Sequence, residues 1–334
     1  MRLFRVVVVC SLLVGIGWTG QPERLGATLE KVSVMLEWFA NPTHAPIFIA
    51  NQKGFFTQEG LELEILAPPD PTQVPSLAAI GRVDIALTNL LNHIILRSTQ
   101  DLPVLAFGAL HRSPLGGLLA IKERGIEKIT DLKGKKIGFS VEPIEPALYR
   151  VMLRKSGVDP KDVELIKLDF LALLPALLAG RLDAIGAFRN FEPVRVELAK
   201  LTPVFFAQEA YGAPNYYELV FIARRELIEK RPETLRKFLR GLARGVFFLM
   251  ADPAEAKKIF FETLPELRDE LNLRAFDRTV AVFFGAPCAA EAARWQAAVD
   301  FLVESKIIPR SLPLETLYTD KLLPDDFFPG GCPR

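Results

Sequence analysis

The sequence predicts an α/β protein of two lobes with a ligand cleft between them. Three observations lead there. From residue 32 onward, period-2 apolar segments alternate with helix-length segments. That alternation restarts near residue 117, and the final third turns into long amphipathic helices too apolar to stand alone. At 334 residues the chain is long enough for two cores.

The elements follow in order. In "VSVMLEW", Val32, Val34, Leu36 and Trp38 share one face, as a strand requires. A helix starts at His44 and can stop at Gly54, and "LELEILA" is the next strand. "DPTQVPSLAAIG" offers Asp70 or Thr72 as a cap, a short helix and Gly81 as its end. The strand "VDIALTN", the helix "LLNHIILRS" and the strand "PVLAFGAL" complete the first series. The second series runs from "GLLAIK" through "ITDLKGKKIGFS", "PALYRVMLRKSG", "VELIKL" and "FLALLPALLAG" to "DAIGAF". Pro175 inside the apolar helix predicts a kink or a broken first turn. "YELVFIARREL" is a strand leading into the helical third. Strands separated by helices of this length predict βαβ units and a mostly parallel sheet.

The expected organisation is residues 1–27 as a signal peptide or N-terminal anchor, 28–116 as the first part of lobe 1, 117–216 as lobe 2, and 217–334 completing lobe 1. The two crossings fall near 113–119 and 213–219. "MRLFR" followed by the apolar run of residues 6–18 is the pattern of a secretory signal. A membrane span needs about 20 residues, and this run is shorter. No small residue sits two positions before Gly20 or Ala27, so cleavage and an uncleaved anchor both stay open. Cys10 follows Val9, which excludes a lipoprotein site. Cys288 and Cys332 are far apart and make neither a metal motif nor a disulfide framework, although an oxidising compartment would permit a bridge.

Lys+Arg 41 nearly cancels Asp+Glu 40, so the charge gives no footprint for nucleic acid. A small, weakly charged ligand fits better than a polyanion. His44, His93 and His111 show no metal-ligand spacing and no Ser/His/Asp arrangement, and "G-x-x-x-x-G-K-[ST]" does not occur.

The candidate site gathers at strand ends, where open sheets bind ligands. Trp38 is either core or a platform for a flat heteroaromatic ring. Asn41 is a turn residue before Pro42, or an amide paired with a ring edge, as Asn pairs with adenine. His44 is a cap or a hydrogen-bond partner in the cleft. Glu192 in "FRNFEP" is a solvated first-turn acid, or a carboxylate taking two N–H bonds from an aminopyrimidine, with Asn190 placed to orient it. At the second crossing Tyr216 and Glu218 share a face and Tyr217 takes the other, which makes Tyr216 the choice for a ring wall. Asn89, closing "VDIALTN", joins Glu218 among the candidates.

The order of elements, with "DLKGKKIGF" opening the second lobe and "LLAGRLDAIGAF" closing its sheet, resembles substrate-binding proteins of ABC importers. That resemblance implies a two-lobe, periplasmic-binding-protein-like (type II) fold. "LEWFANPTHAPIFIANQKGFF", "APPDPT", "GRVDIAL", "FRNFEP" and "GAPNYYELVFIA" narrow it to the thiamine-pyrimidine branch over roughly residues 30–330. That branch holds binding proteins for formylaminopyrimidine or hydroxymethylpyrimidine and also the fungal pyrimidine synthases. The synthases carry a pyridoxal-phosphate Lys and a sacrificial His where this chain has Thr88 and Asn92, and their cysteine cluster is replaced by "PNYYEL". Without an amine at position 88 no Schiff base can form.

The resemblance therefore implies an exported, monomeric binding protein, not an enzyme and without a cofactor, delivering a thiamine pyrimidine precursor to an ABC permease with its separate ATPase subunit. Contact with the membrane would come through the permease or an uncleaved N-terminus. Binders of alkanesulfonate, taurine or nitrate share the architecture, but an anion site calls for Arg or amide-rich loops. A synthase-like enzyme and a sensor domain remain as alternatives.

Overall fold

A computed structural model describes residues 28–283 and 291–323. The N-terminal signal or anchor and the two cysteines Cys288 and Cys332 lie outside the described residues. Among the described residues ten strands run in chain order: β1 Glu30–Met35, β2 Leu61–Leu66, β3 Ile85–Asn89, β4 Val104–His111, β5 Gly116–Ile121, β6 Lys136–Phe139, β7 Glu164–Lys167, β8 Ala184–Phe188, β9 Pro203–Ala207 and β10 Leu219–Arg224. They form two five-stranded sheets of orders β2-β1-β3-β10-β4 and β7-β6-β8-β5-β9.

The sheets are mixed rather than mostly parallel, which corrects the expectation. β1 pairs in parallel with β2 and β3, whereas β10 runs antiparallel between β3 and β4. In the second sheet β6 pairs in parallel with β7 and β8, and β5 is antiparallel to β8 and β9. The physical reason is the crossing itself. β5 and β10 are the strands by which the chain enters a sheet from the other one, so each arrives at the end where the neighbouring strands stop. The resident strands return through helices and stay parallel to one another.

Alternation places the cores. In β3 and β10, Ile85, Leu87, Leu219, Phe221 and Ala223 face one cluster, while Ala86, Val220 and Ile222 face another. β5 does the same in the second sheet, with Leu119 and Ile121 on one face and Leu118 and Ala120 on the other. Each large aliphatic or aromatic side chain so buried contributes about 1.5–3 kcal/mol, which fixes register because a one-residue slip would reverse every face.

The C-terminal helices pack on the first sheet's side. Pro232–Ala251 lies on Ala45–Gln52 and Phe55–Gln58, and Ala292–Glu304 lies on Leu90–Gln100. Close approach requires Gly241, where a Cβ would sit 2.4 Å from Phe56 Cδ1. Two details differ from the sequence reading. Phe170–Leu178 is a continuous helix with Pro175 inside it. β1 stops at Met35, so Trp38 lies beyond the strand and is 38% exposed, while Val32, Val34 and Leu36 are buried. Among the described residues no helix is long and apolar enough to cross a membrane.

Candidate functional site

The predicted residues fall into three neighbourhoods around the crossings. The first is the turn after β1. Asn41 caps the short helix Pro42–His44, its Oδ1 accepting from Thr43 N at 2.9 Å and its Nδ2 donating to Phe39 O at 2.9 Å. His44 is fully buried. Its Nδ1 accepts from Asn41 N at 3.2 Å, which leaves Nε2 to donate to Glu37, 2.9 Å from Oε2. Burial pushes the Glu37 carboxyl up, and the His44 ring more than reverses that, so Glu37 is held below the ordinary carboxylate range. Both polar ends of Asn41 and both ring nitrogens of His44 are thus occupied within the chain.

The second neighbourhood joins the two crossings. Asn89 caps the helix Leu90–Gln100 through Oδ1, 2.9 Å from Leu91 N, and donates Nδ2 to Glu218 Oε1 at 2.7 Å. Glu218 Oε2 accepts from Leu115 N at 2.7 Å, tying the outgoing segment to the returning one. Burial raises the Glu218 carboxyl, and the donors Leu115 and Asn89 reverse part of that rise. Tyr216 OH accepts from Gln208 Nε2 at 2.8 Å, and burial together with the Glu218 charge drives the Tyr216 phenol far up. β10 begins only at Leu219, so strand alternation does not separate the two tyrosines as expected, and both join one buried cluster. Tyr217 packs against Trp295 at a centroid distance of 6.3 Å, and its OH accepts from Glu291 N at 3.1 Å. Asn89→Ala removes a cap and one Glu218 partner together. It is expected to cost about 1–2 kcal/mol of stability, read as a lower urea midpoint with an unchanged slope.

The third neighbourhood faces the cleft. Trp38, from the first lobe, packs edge-on against Phe170 of the second, with centroids 5.7 Å apart. Phe170 lines a cavity of about 50 Å³ together with Leu171, Ile185, Gly186, Glu192 and Arg195. Glu192 opens the helix Glu192–Leu198, is 6% exposed, and holds Phe188 N on Oε2 at 2.8 Å. Burial raises its carboxyl, offset in part by Phe188 N–H and the Arg195 charge. Gly186 permits a close approach in the cavity lining, since a Cβ there would meet the Tyr149 hydroxyl at 2.1 Å. Asn190 points elsewhere. Its Nδ2 reaches Thr43 Oγ1 at 3.3 Å and Thr279 Oγ1 at 2.9 Å, both across the cleft, rather than Glu192.

Sequence reasoning missed Phe170, Glu37 and Arg195. Phe170 carried no local signal, because it stands in an apolar run that any buried helix could supply. Glu37 did carry one, lying beside Trp38 within the same motif. The arrangement offers an edge-on aromatic pair, one buried acceptor carboxylate and a small cavity beside them. Among the described residues no group of His, Cys, Asp or Glu could hold a metal ion.

Two mixed sheets joined by two crossings, with polar and aromatic groups gathered between them, define the periplasmic-binding-protein fold. The periplasmic aliphatic sulphonate binding protein of Escherichia coli superposes with a TM-score of 0.69 at 15% identity, covering 87% of this chain and 92% of that one. The chain belongs to the NMT1/THI5-like family, which it matches over residues 41–256. A Haemophilus influenzae protein named for thiamine biosynthesis is 38% identical over 86% of this chain and 90% of its own. A formylaminopyrimidine-binding protein of Halalkalibacterium halodurans is 30% identical, with 81% of each chain covered. A 4-amino-5-hydroxymethyl-2-methylpyrimidine phosphate synthase of Legionella pneumophila is 28% identical, covering 90% of this chain and 96% of that one. The relatives thus include both a binder and a synthase.

Proposed function

We propose that this chain is an extracytoplasmic solute-binding protein. It delivers a pyrimidine precursor of thiamine, of the formylaminopyrimidine or hydroxymethylpyrimidine type, to an ABC permease driven by a separate ATPase subunit. One observation carries the reading: the buried Glu192 carboxylate lines a small apolar cavity whose Phe170 wall is met by Trp38 from the other lobe. An aminopyrimidine has the flat face for the aromatics and adjacent N–H donors for the acid. Closure of the lobes then hides these groups from water, and an analogue without the amino group leaves Glu192 unpaired, which a buried polar site penalises strongly.

A synthase is the second reading, favoured by the Legionella relative. Thr88 speaks against it. The residue is buried and its Oγ1 accepts from Asn92 Nδ2 at 3.5 Å, so this position offers a hydroxyl and an amide but no amine. Pyridoxal phosphate does not fit such a pair as a Schiff base, and an absorbance scan with that cofactor should stay flat.

Isothermal titration of the refolded, ligand-stripped protein against both pyrimidines and taurine tests the proposal. One-to-one binding of a pyrimidine is expected, weakened about tenfold in Trp38→Ala by the loss of one stacking surface. Binding of taurine with no heat from either pyrimidine would sink the assignment and leave the fold standing.

A further inference from the structure

We propose that Asn190, Thr43 and Thr279 form a clasp between the lobes that holds the Trp38–His44 turn over the Glu192 cavity and sets how fast bound ligand escapes. Asn190 sits between β8 and the helix Glu192–Leu198, on the second sheet's side. Thr43 belongs to the turn after β1, and Thr279 to the helix Glu270–Val280, both on the first sheet's side. The two Nδ2 hydrogens of Asn190 serve one threonine each, at 3.3 and 2.9 Å. The Thr279 hydroxyl donates to Ala275 O at 2.7 Å, so towards Asn190 it can only accept. That fixes the direction of the bond. Asn190 and Thr279 are buried, 3% and 1% exposed.

The surroundings support a joint rather than a chance meeting. The helix Glu270–Val280 packs against both the Pro42–His44 turn and the helix Glu192–Leu198. One residue from Thr279, Arg278 pairs with Glu197 across the same seam. Thr43 lies between Asn41 and His44, and Asn190 lies two residues before Glu192, so the clasp shares its backbone with both halves of the candidate site.

Its chemistry suits reversible use. The bonds are neutral, and when the lobes part, the amide and both hydroxyls return to water instead of being left buried and unpaired. Each such bond favours the closed form by about twofold to tenfold. Asn190 and Thr279 are therefore positioning residues that act through the turn and the seam.

Stopped-flow kinetics and small-angle X-ray scattering on the full chain test this with Thr279→Val and Asn190→Ala. The expected result for Thr279→Val is a ligand off-rate raised about fivefold, an on-rate within about twofold of the parent, and a larger radius of gyration without ligand. Thr279→Ser restores the acceptor and should return both readouts to parental values. Since Asn190→Ala adjoins the Glu192 turn, Thr279→Val, on the opposite lobe, decides the matter. A parental off-rate and radius in Thr279→Val would overturn the clasp, as would Thr279→Ser behaving like the valine variant. The kinetic measurement rests on the pyrimidine-binding reading, and scattering does not. If no pyrimidine binds, that reading fails while the radius of Thr279→Val still decides the clasp.

Discussion

Glu192→Ala is expected to weaken pyrimidine binding about a hundredfold, while the isosteric Glu192→Gln raises the melting temperature at pH 7. Both effects come from one buried charge. A carboxylate accepting ligand N–H groups makes charge-assisted bonds worth about 1.5–3 kcal/mol, and truncation also leaves the ligand's amino group facing an apolar wall. Without ligand the same carboxylate is a burden. Burial raises its pKa above the ordinary 4.5 despite the Phe188 N–H and the Arg195 charge. A raised carboxyl contributes stability below pH 4.5, and that contribution is lost as pH rises through the folded value. At pH 7 the group is therefore costly, and Gln, which can still accept from Phe188 N, removes the cost. Relieving it by about 1 kcal/mol would raise the melting temperature by about 2 °C. Titration calorimetry and thermal melts of the two variants read the pair of effects. Undiminished affinity in Glu192→Ala would remove this residue from the site, and a lower melting temperature in Glu192→Gln would show that its charge is stabilised in place.

Much of the architecture was legible because alternation and capping act locally. Val32 and Val34 on β1, Asp70 capping its short helix through Thr72 N, and Gly81 at φ +74° each follow from residues within a few positions. β9 was not legible. "PVFFA" is short, opens on Pro203, and becomes a strand only because β5 presents an edge from far away in sequence. The antiparallel placement of β10 was equally hidden, since period-2 alternation carries no direction. Trp38 shows the same limit. Its spacing fits β1, but that strand ends at Met35, and Phe170 of the other lobe decides where the ring rests.

At the site, residue types were easier to single out than partners. Asn41, His44 and Asn89 stood out as polar groups at strand ends, and each is engaged in capping or local pairing. Asn190 was paired by proximity with Glu192, whereas its contacts lie 147 and 89 residues away in sequence. Such partners are set by how two lobes meet, which no window of sequence contains.

Acid is expected to destabilise the chain steeply between pH 6.5 and 4, and two histidines outside the ligand reading are the reason. Burial lowers His93 and His111 from the ordinary 6.5 to about 4 each. His93 donates Nε2 to Leu317 O at 2.8 Å, a bond that holds the value up slightly, and the Arg97 charge pushes it further down. His111 donates Nε2 to Thr43 O at 3.2 Å, with Glu37 raising and His44 lowering its value. His111 Nδ1 has no hydrogen-bond partner among the described residues, so a proton there would be a buried orphan donor. For a histidine with a depressed value the sign is definite. Its stability is complete above 6.5 and is lost as pH falls towards 4, because the unfolded chain takes up the proton first. The gap is worth about 3 kcal/mol per ring, against a total stability of about 5–15 kcal/mol for a typical protein. Glu192 and Glu218, whose carboxyls are raised, act in the opposite direction as the medium acidifies and offset part of the loss. Thermal melts across pH 7.5 to 4 should fall steeply below 6.5. His93→Gln keeps a donor for Leu317 without a proton to gain, so it should remove about half of that slope whatever it does to the melting temperature at pH 7. A flat profile, or a full slope in His93→Gln, would show that these rings are hydrated in solution and that their burial does not govern the acid limit.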